Sequence, residues 1–233
     1  MVIENNEYFS ELNEWYDDIL IYNIVGFLHI YGRMSFKKIK ENINDPNGDP
    51  IQKLKDMSKK LIIKNHIGAI CELDILKYKK RGRTAAGRKQ HIKTVLFLFN
   101  VAYATELGIR LDFDNFFKNG EDNFQIEHIN AIGYNDKTDE TDEIDGINGK
   151  EKDFILNLSL LDKETNQDLS FHSFSIKQEI LKRDEYARRL LPCTNAVFKK
   201  CFSKDSSNID FWSKEDGCAY IEKMKSTLKN FLN

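Results

Sequence analysis

The chain has 233 residues and a mass of 27.3 kDa, enough for one large domain or two small ones. Its 35 basic and 37 acidic residues leave a net charge of −2, which excludes a general electrostatic coat for nucleic acid and confines any phosphate-binding surface to a local patch. Apolar residues at 41% and aromatics at 12% suffice for a buried core, which excludes a disordered chain.

Residues 7–31 repeat apolar side chains at three- and four-residue steps (Phe9, Leu12, Trp15, Tyr16, Ile19, Leu20) and predict a helix that stops at Gly32. Its apolar part, Ile19–Tyr31, is interrupted by Asn23 and His29, and a second apolar stretch, Val95–Ala104, by Asn100. Both fall short of the roughly 18 residues of a membrane span. The first residues have no basic segment followed by an apolar run, so no secretory signal is expected. A second helix follows near 35–42 with Ser35 as its cap, then a turn cluster at 42–50 and a third helix over 51–63. Residues 1–76 read as an N-terminal helical module.

Residues 77–123 read as a basic loop and a connecting helix. Between 77 and 93 stand Lys77, Lys79, Lys80, Arg81, Arg83, Arg88, Lys89 and Lys93, with no acid among them. The bland reading is a solvated loop. The functional one is a phosphate-neutralising surface carried by Lys80, Arg81, Arg83, Arg88 and Lys89. The helix spans about 88–106. Residues 124–129 alternate apolar and polar side chains as a half-buried strand does. A polar loop occupies 133–153, with six acids and one lysine between Asp136 and Asp145. A second strand is expected over 154–161, a helix over 174–191 ended by Pro192, and a last helix over 213–232. The segment 192–233 reads as a C-terminal helical unit.

The four cysteines, Cys71, Cys193, Cys201 and Cys218, form no Cys-x-x-Cys pair, which argues against a zinc knuckle and for free thiols in a reducing compartment.

Hydrolysis of a phosphodiester requires a base for the attacking water and positive charge for the phosphate and the leaving oxygen, both held in fixed geometry. Imidazole is the natural base near neutral pH, and a hard divalent cation on oxygen ligands supplies the charge. Glu127-His128 offers both side-chain types in sequence. Asn157 and Asn166 follow, nine positions apart. Taken alone, Glu127-His128 is a common surface pair, Asn157 a turn residue and Asn166 a helix cap.

The run Ile126-Glu127-His128-Ile129, then Asn157-Leu158-Ser159-Leu160-Leu161-Asp162, Asn166 and Phe174-Ser175-Ile176-Lys177, resembles the C-terminal HNH (His-Me finger) nuclease domain of GmrSD-type modification-dependent restriction endonucleases. The resemblance implies an α+β protein, mainly α with a small ββα-metal (HNH / His-Me finger) element, the nuclease core at 124–191. It implies a divalent-metal-dependent HNH endonuclease hydrolysing DNA phosphodiester bonds, the nuclease part of a bacterial restriction or anti-phage defence protein in the cytoplasm. His128 takes the place of the general base, and Asn157 that of the residue orienting its ring. Glu127 and Asn166 take the places of ligands to Mg²⁺, with Mn²⁺ as the alternative ion. Lys177, on the helix after Asn166, would reach a neighbouring phosphate. DNA is the expected partner, with no membrane. An NTP-binding domain or subunit, which precedes this region in the family, is not found in the chain.

Two features depart from the pattern. The 28 residues at 129–156 form a long acidic insertion, and selectivity for modified DNA, linked in the family to the NTP-binding half, is not expected of this segment alone. The alternative reading is a catalytically inactive HNH-like nucleic-acid- or partner-binding module.

Overall fold

A computed structural model describes residues 15–44, 48–63, 73, 76–77, 85–113, 117–118, 121–130, 152–204 and 208–233. The expected helical residues 7–14, the bases Lys80, Arg81 and Arg83, and the acidic stretch 136–145 lie outside them.

The protein is mainly helical. Helix α1 (Ile19–Ile30) is capped by Asp18, whose side chain accepts from the Ile21 N–H at 3.0 Å. Helix α2 (Phe36–Ile43) starts at Ser35, as its sequence predicts. Helix α3 (Pro50–Ile63) begins with proline at its first position, where no N–H is needed. Helix α4 (Ala85–Glu106) begins three residues earlier than expected and is the centre of the molecule. From His91 to Ala102 every side chain of α4 is buried, as in a helix surrounded by packing partners. It packs against α1 and α3 and against the segments Phe124–His128, Leu158–Asp162, Pro192–Phe198 and Lys214–Leu232.

A two-residue hairpin, β1 (Phe117–Lys118) with β2 (Glu121–Asp122), leads into β3 (Phe124–His128). The expected second strand begins later than 154. Residues Ile155–Asn157 form a 3₁₀ turn, and only Leu158–Asp162 (β4) is extended. β3 and β4 pair antiparallel, with His128 opposite Leu158, Glu127 opposite Ser159 and Phe124 opposite Asp162. Asp162 then caps α5 (Lys163–Leu169) by accepting from the Glu164 and Thr165 N–H groups.

The single helix expected over 174–191 is divided into α6 (Phe174–Leu181) and the short α7 (Asp184–Ala187). Pro192 does not terminate a helix; it occupies the first turn of α8 (Pro192–Phe198), the position its fixed φ favours. The last helix, α9 (Lys214–Leu232), opens with a capping box between Ser213 and Asp216.

Aromatic contacts join these layers. Phe97 of α4 packs against Phe27 of α1, Phe113 and Phe124 of β3, the last at 5.4 Å between centroids. Trp212 lies between Phe174 and Tyr220. The two asparagines that interrupt the apolar stretches act as pins. Asn23 donates to Ile109 O at 2.9 Å and accepts from Leu111 N at 3.0 Å, tying α1 to the chain leaving α4. Asn100 accepts from Cys193 N at 2.9 Å, tying α4 to the start of α8. The free edge of β4 is covered by side chains: Thr194 donates to Leu160 O at 2.7 Å and Tyr220 to Leu158 O at 3.2 Å. Gly217 lets α9 close on the 3₁₀ turn, since a Cβ there would stand 2.9 Å from Leu156 Cδ1. Among the described residues no helix is long and apolar enough to cross a membrane.

Lys200, at φ +54°, reaches back to Asp216 at 2.8 Å and donates to the carbonyls of Asn208 and Phe211. Both side chains are nearly fully buried. Burial alone would raise the Asp216 pKa. Hydrogen bonds from Lys200 and from the Ser213 N–H, with the lysine's charge, reverse that and hold it below the ordinary carboxylate range. A depressed folded-state pKa contributes stability that is complete above the unfolded value, about 3.9, and is lost as pH falls through the folded value. Asp216→Asn should therefore lower stability at pH 7 by about 3 kcal/mol. The gap to wild type should narrow as pH falls below about 4. Denaturant melts at pH 7 and pH 3 check both statements.

Candidate active site

The site is built on the inner pair of strands and the two helices that follow. Adjacent residues of a strand point to opposite faces, so Glu127 and His128 diverge although they are neighbours. The register puts Gln125, Glu127, Ser159 and Leu161 on one face and Phe124, Ile126, His128, Leu158 and Leu160 on the other.

On the first face Glu127 is buried, 7% exposed, and its carboxylate accepts from the Lys177 ammonium of α6. The same ammonium donates to His128 O at 2.6 Å. Lys177 is fully buried. Burial raises the Glu127 pKa and lowers that of Lys177; their mutual attraction opposes both shifts. Ser159, directly across from Glu127, is buried, and its hydroxyl has no hydrogen-bond partner. Asn166 on α5 donates to Gln125 Oε1 at 2.7 Å, so it approaches the same face of β3. Its carbonyl oxygen Oδ1 is buried without a donor. Four oxygen-bearing side chains, Gln125, Glu127, Ser159 and Asn166, thus meet this face, two of them with an oxygen unpaired.

At the end of β3, on the other face, the His128 ring is about one-third exposed. Its Nε2 lies 3.0 Å from Asp153 Oδ1. This carboxylate–imidazole pair is partly exposed.

Asn157 orders the junction between the two groups. Fully buried, it accepts from Asn130 N at 2.8 Å and donates to Asn130 O at 3.0 Å and Lys152 O at 2.9 Å. It therefore acts on the backbone just after His128 and just before Asp153. Asp153 meets the ring itself, while the Asn157 side chain meets the backbone on either side.

Lys177 also differs from expectation. It was expected to reach a phosphate, yet it is fully buried on Glu127. Phe174, Lys177, Gln178 and Leu181 are the buried residues of α6 and follow the i, i+3, i+4, i+7 spacing of an inward face. That spacing was the available signal. Asp153 and Ser159 were not singled out by sequence. Asp153 is the last acid of a segment that reads as a solvated loop, and Ser159 stands in a strand of leucines. Arg88 and Lys89 are exposed on the first turn of α4. His172 is an exposed surface histidine.

Among the described residues no group of three or more His, Cys, Asp or Glu side chains gathers in the manner of a metal centre. An asparagine amide oxygen and a serine hydroxyl stand with Glu127 instead.

Comparison with known proteins bears on the same region. A family model, that of the GmrSD restriction endonucleases, C-terminal domain, matches residues 72–218. No curated protein and no solved structure matches the chain. The family match covers more than half of the chain and takes in β3, β4 and α5 to α8. The chain belongs to the family of the C-terminal domain of GmrSD restriction endonucleases.

Proposed function

We propose that this protein is a divalent-metal-dependent endonuclease that hydrolyses DNA phosphodiester bonds through an HNH site made by β3, β4 and α5. We place it in the cytoplasm of a bacterium, in defence against foreign DNA, alongside an NTP-binding domain or subunit. The observation that carries this reading is the His128–Asp153 pair at 3.0 Å, partly exposed at the end of β3 and inside the segment matched to a restriction-endonuclease family.

Asp153 would hold the ring by its Nε2 and so orient the imidazole as the base for an attacking water. The strand–strand–helix order brings Asn166 to the β3 face that carries Glu127. A carboxylate with unpaired amide and hydroxyl oxygens suits a hard cation, so the residues present fit Mg²⁺ or Mn²⁺. The bound ion would stabilise charge on the phosphate and on the leaving oxygen. Asn157 keeps the two halves in register by holding the chain on either side of the insertion. Arg88 and Lys89, with Lys80, Arg81 and Arg83 from the same basic run, would neutralise flanking phosphates.

A second reading is favoured by one observation: the Glu127 carboxylate already carries the Lys177 ammonium. On that reading the chain is an inactive HNH-like module that binds nucleic acid or a partner.

Supercoiled plasmid separates the two. Nicking should require Mg²⁺ or Mn²⁺, stop with EDTA, and fall by about 10²- to 10⁴-fold in His128→Ala. Asp153→Asn should show a smaller loss with the fold intact by circular dichroism. Absence of metal-dependent nicking by wild type, with and without an NTP-binding partner, would leave the inactive module as the function.

Charge reversal of Arg81, Arg83 and Arg88 together should weaken duplex binding for all sequences alike. It should also reduce the slope of log K against log salt by about 2 to 3. Fluorescence anisotropy at several salt concentrations measures it, and an unchanged slope would return the run to a solvated loop.

A further inference from the structure

The position that a divalent ion would take on Glu127 is held by a lysine from the protein itself. The Lys177 ammonium sits between the Glu127 carboxylate and the His128 carbonyl, two oxygen donors of the kind that a hard cation selects. An ammonium has three N–H groups, and these contacts use two. The same face carries the Ser159 hydroxyl, placed across from Glu127 by the strand register, and the Asn166 amide oxygen, which approaches through Gln125. Both are buried and lack a hydrogen-bond partner. A buried polar atom without a partner is rare and calls for a reason. Here the ammonium meets two oxygens and leaves two others on the same face without a donor. An ion of higher charge and coordination number would use them.

We propose that Lys177 is a built-in competitor for the cation position, holding Glu127 until a divalent ion displaces its ammonium and thereby setting how tightly the site loads. The inference rests on the metal-dependent reading above. Lys177 is the right kind of group for this task. It is a compact point charge on a flexible stem, able to leave a carboxylate without disturbing its helix. An ammonium and a divalent ion repel one another, so each weakens the other's hold on a shared carboxylate. Lys177 acts here as a positioning residue, and its effect is read in ion binding.

The test uses Mn²⁺ as the probe, with free ion measured by electron paramagnetic resonance and melting temperature followed in parallel. Lys177→Met should bind Mn²⁺ at least ten times more tightly than wild type. Its melting temperature should be lower than wild type without metal, because Glu127 loses its partner, and should rise more steeply with Mn²⁺. Lys177→Gln, which can still hydrogen-bond Glu127, should fold without metal and show the same gain in affinity. Glu127→Gln with Lys177→Met should regain thermal stability and lose the Mn²⁺ response. Tight binding by the lysine variants with none detectable in wild type would also support the proposal. If wild type binds Mn²⁺ through Glu127 and both lysine variants bind no more tightly, the competitor role is overturned while the metal site stands. If none of the proteins binds Mn²⁺ at millimolar concentration, the metal-dependent reading falls and this inference with it.

Discussion

The site depends on a closure made by one amide. β3 ends at His128 and β4 begins at Leu158, and the chain between them is a long polar excursion. Joining the ends of such a segment costs conformational entropy that grows with its length, though slowly. Asn157 offsets it with hydrogen bonds to Asn130, 27 positions away, and to Lys152, while Ile129 N donates to Asn157 O. The side chain's acceptor and both of its donor directions are used, as a fully buried amide requires. With that clasp in place the ladder from His128–Leu158 to Phe124–Asp162 can form in a single register. A slip of one residue would move Glu127 to the other face and separate it from Lys177.

The second constraint is electrostatic. A buried glutamate–lysine pair contributes little net stability, since desolvation of both groups offsets their attraction, and apolar residues of equal volume would do as well. The surroundings of this pair are apolar enough to supply such residues: Leu161 lies on the same strand face, and Phe174 and Leu181 flank Lys177 on α6. The Lys200–Asp216 pair offers a contrast. Its lysine also donates to two carbonyls of the preceding turn, and its aspartate closes a capping box, so the charges complete backbone hydrogen bonding. Around Glu127 the hydroxyl of Ser159 and the oxygen of Asn166 remain unsatisfied instead. One pair serves the fold. The other leaves polar groups without partners inside it.

Much of the scaffold was legible because it rests on local rules. Ser35 precedes α2 and caps it as a side-chain oxygen before an apolar period should, and the last helix lies where its apolar spacing puts it. Asn23 and Asn100 interrupt apolar runs, and in the fold each meets backbone groups that need a partner. The start of β4 was misread because Ile155 and Leu156 are as apolar as the strand that follows, and the 3₁₀ turn there is imposed by contacts with α9 and the Trp212 indole. Pro192 carries the same signal whether it ends one helix or begins another. Within the candidate site, the family resemblance singles out Glu127, His128, Asn157 and Asn166. Asp153 carries no such signal and Lys177 reads as a phosphate contact, because each finds its partner across a long separation: 25 positions to His128 and 50 to Glu127. A lysine on a short helix reads as solvent-facing until its heptad neighbours are counted.

Lys177 also links the two sides of β3. Alternation sends the Glu127 carboxylate toward α6 and the His128 ring toward Asp153, so no side chain of the strand touches both groups. The ammonium joins them through the backbone, since it holds the carboxylate of one residue and the carbonyl of the next. Asn157 restrains the same stretch from the far side through Asn130, two residues beyond His128. The histidine is thus held by a cation at its own carbonyl, by an amide at its successor's neighbour and by Asp153 at its ring. Any displacement of the ammonium changes the first of these restraints and leaves the other two. The position of the ammonium on one face and that of the imidazole on the other are therefore coupled through one peptide unit.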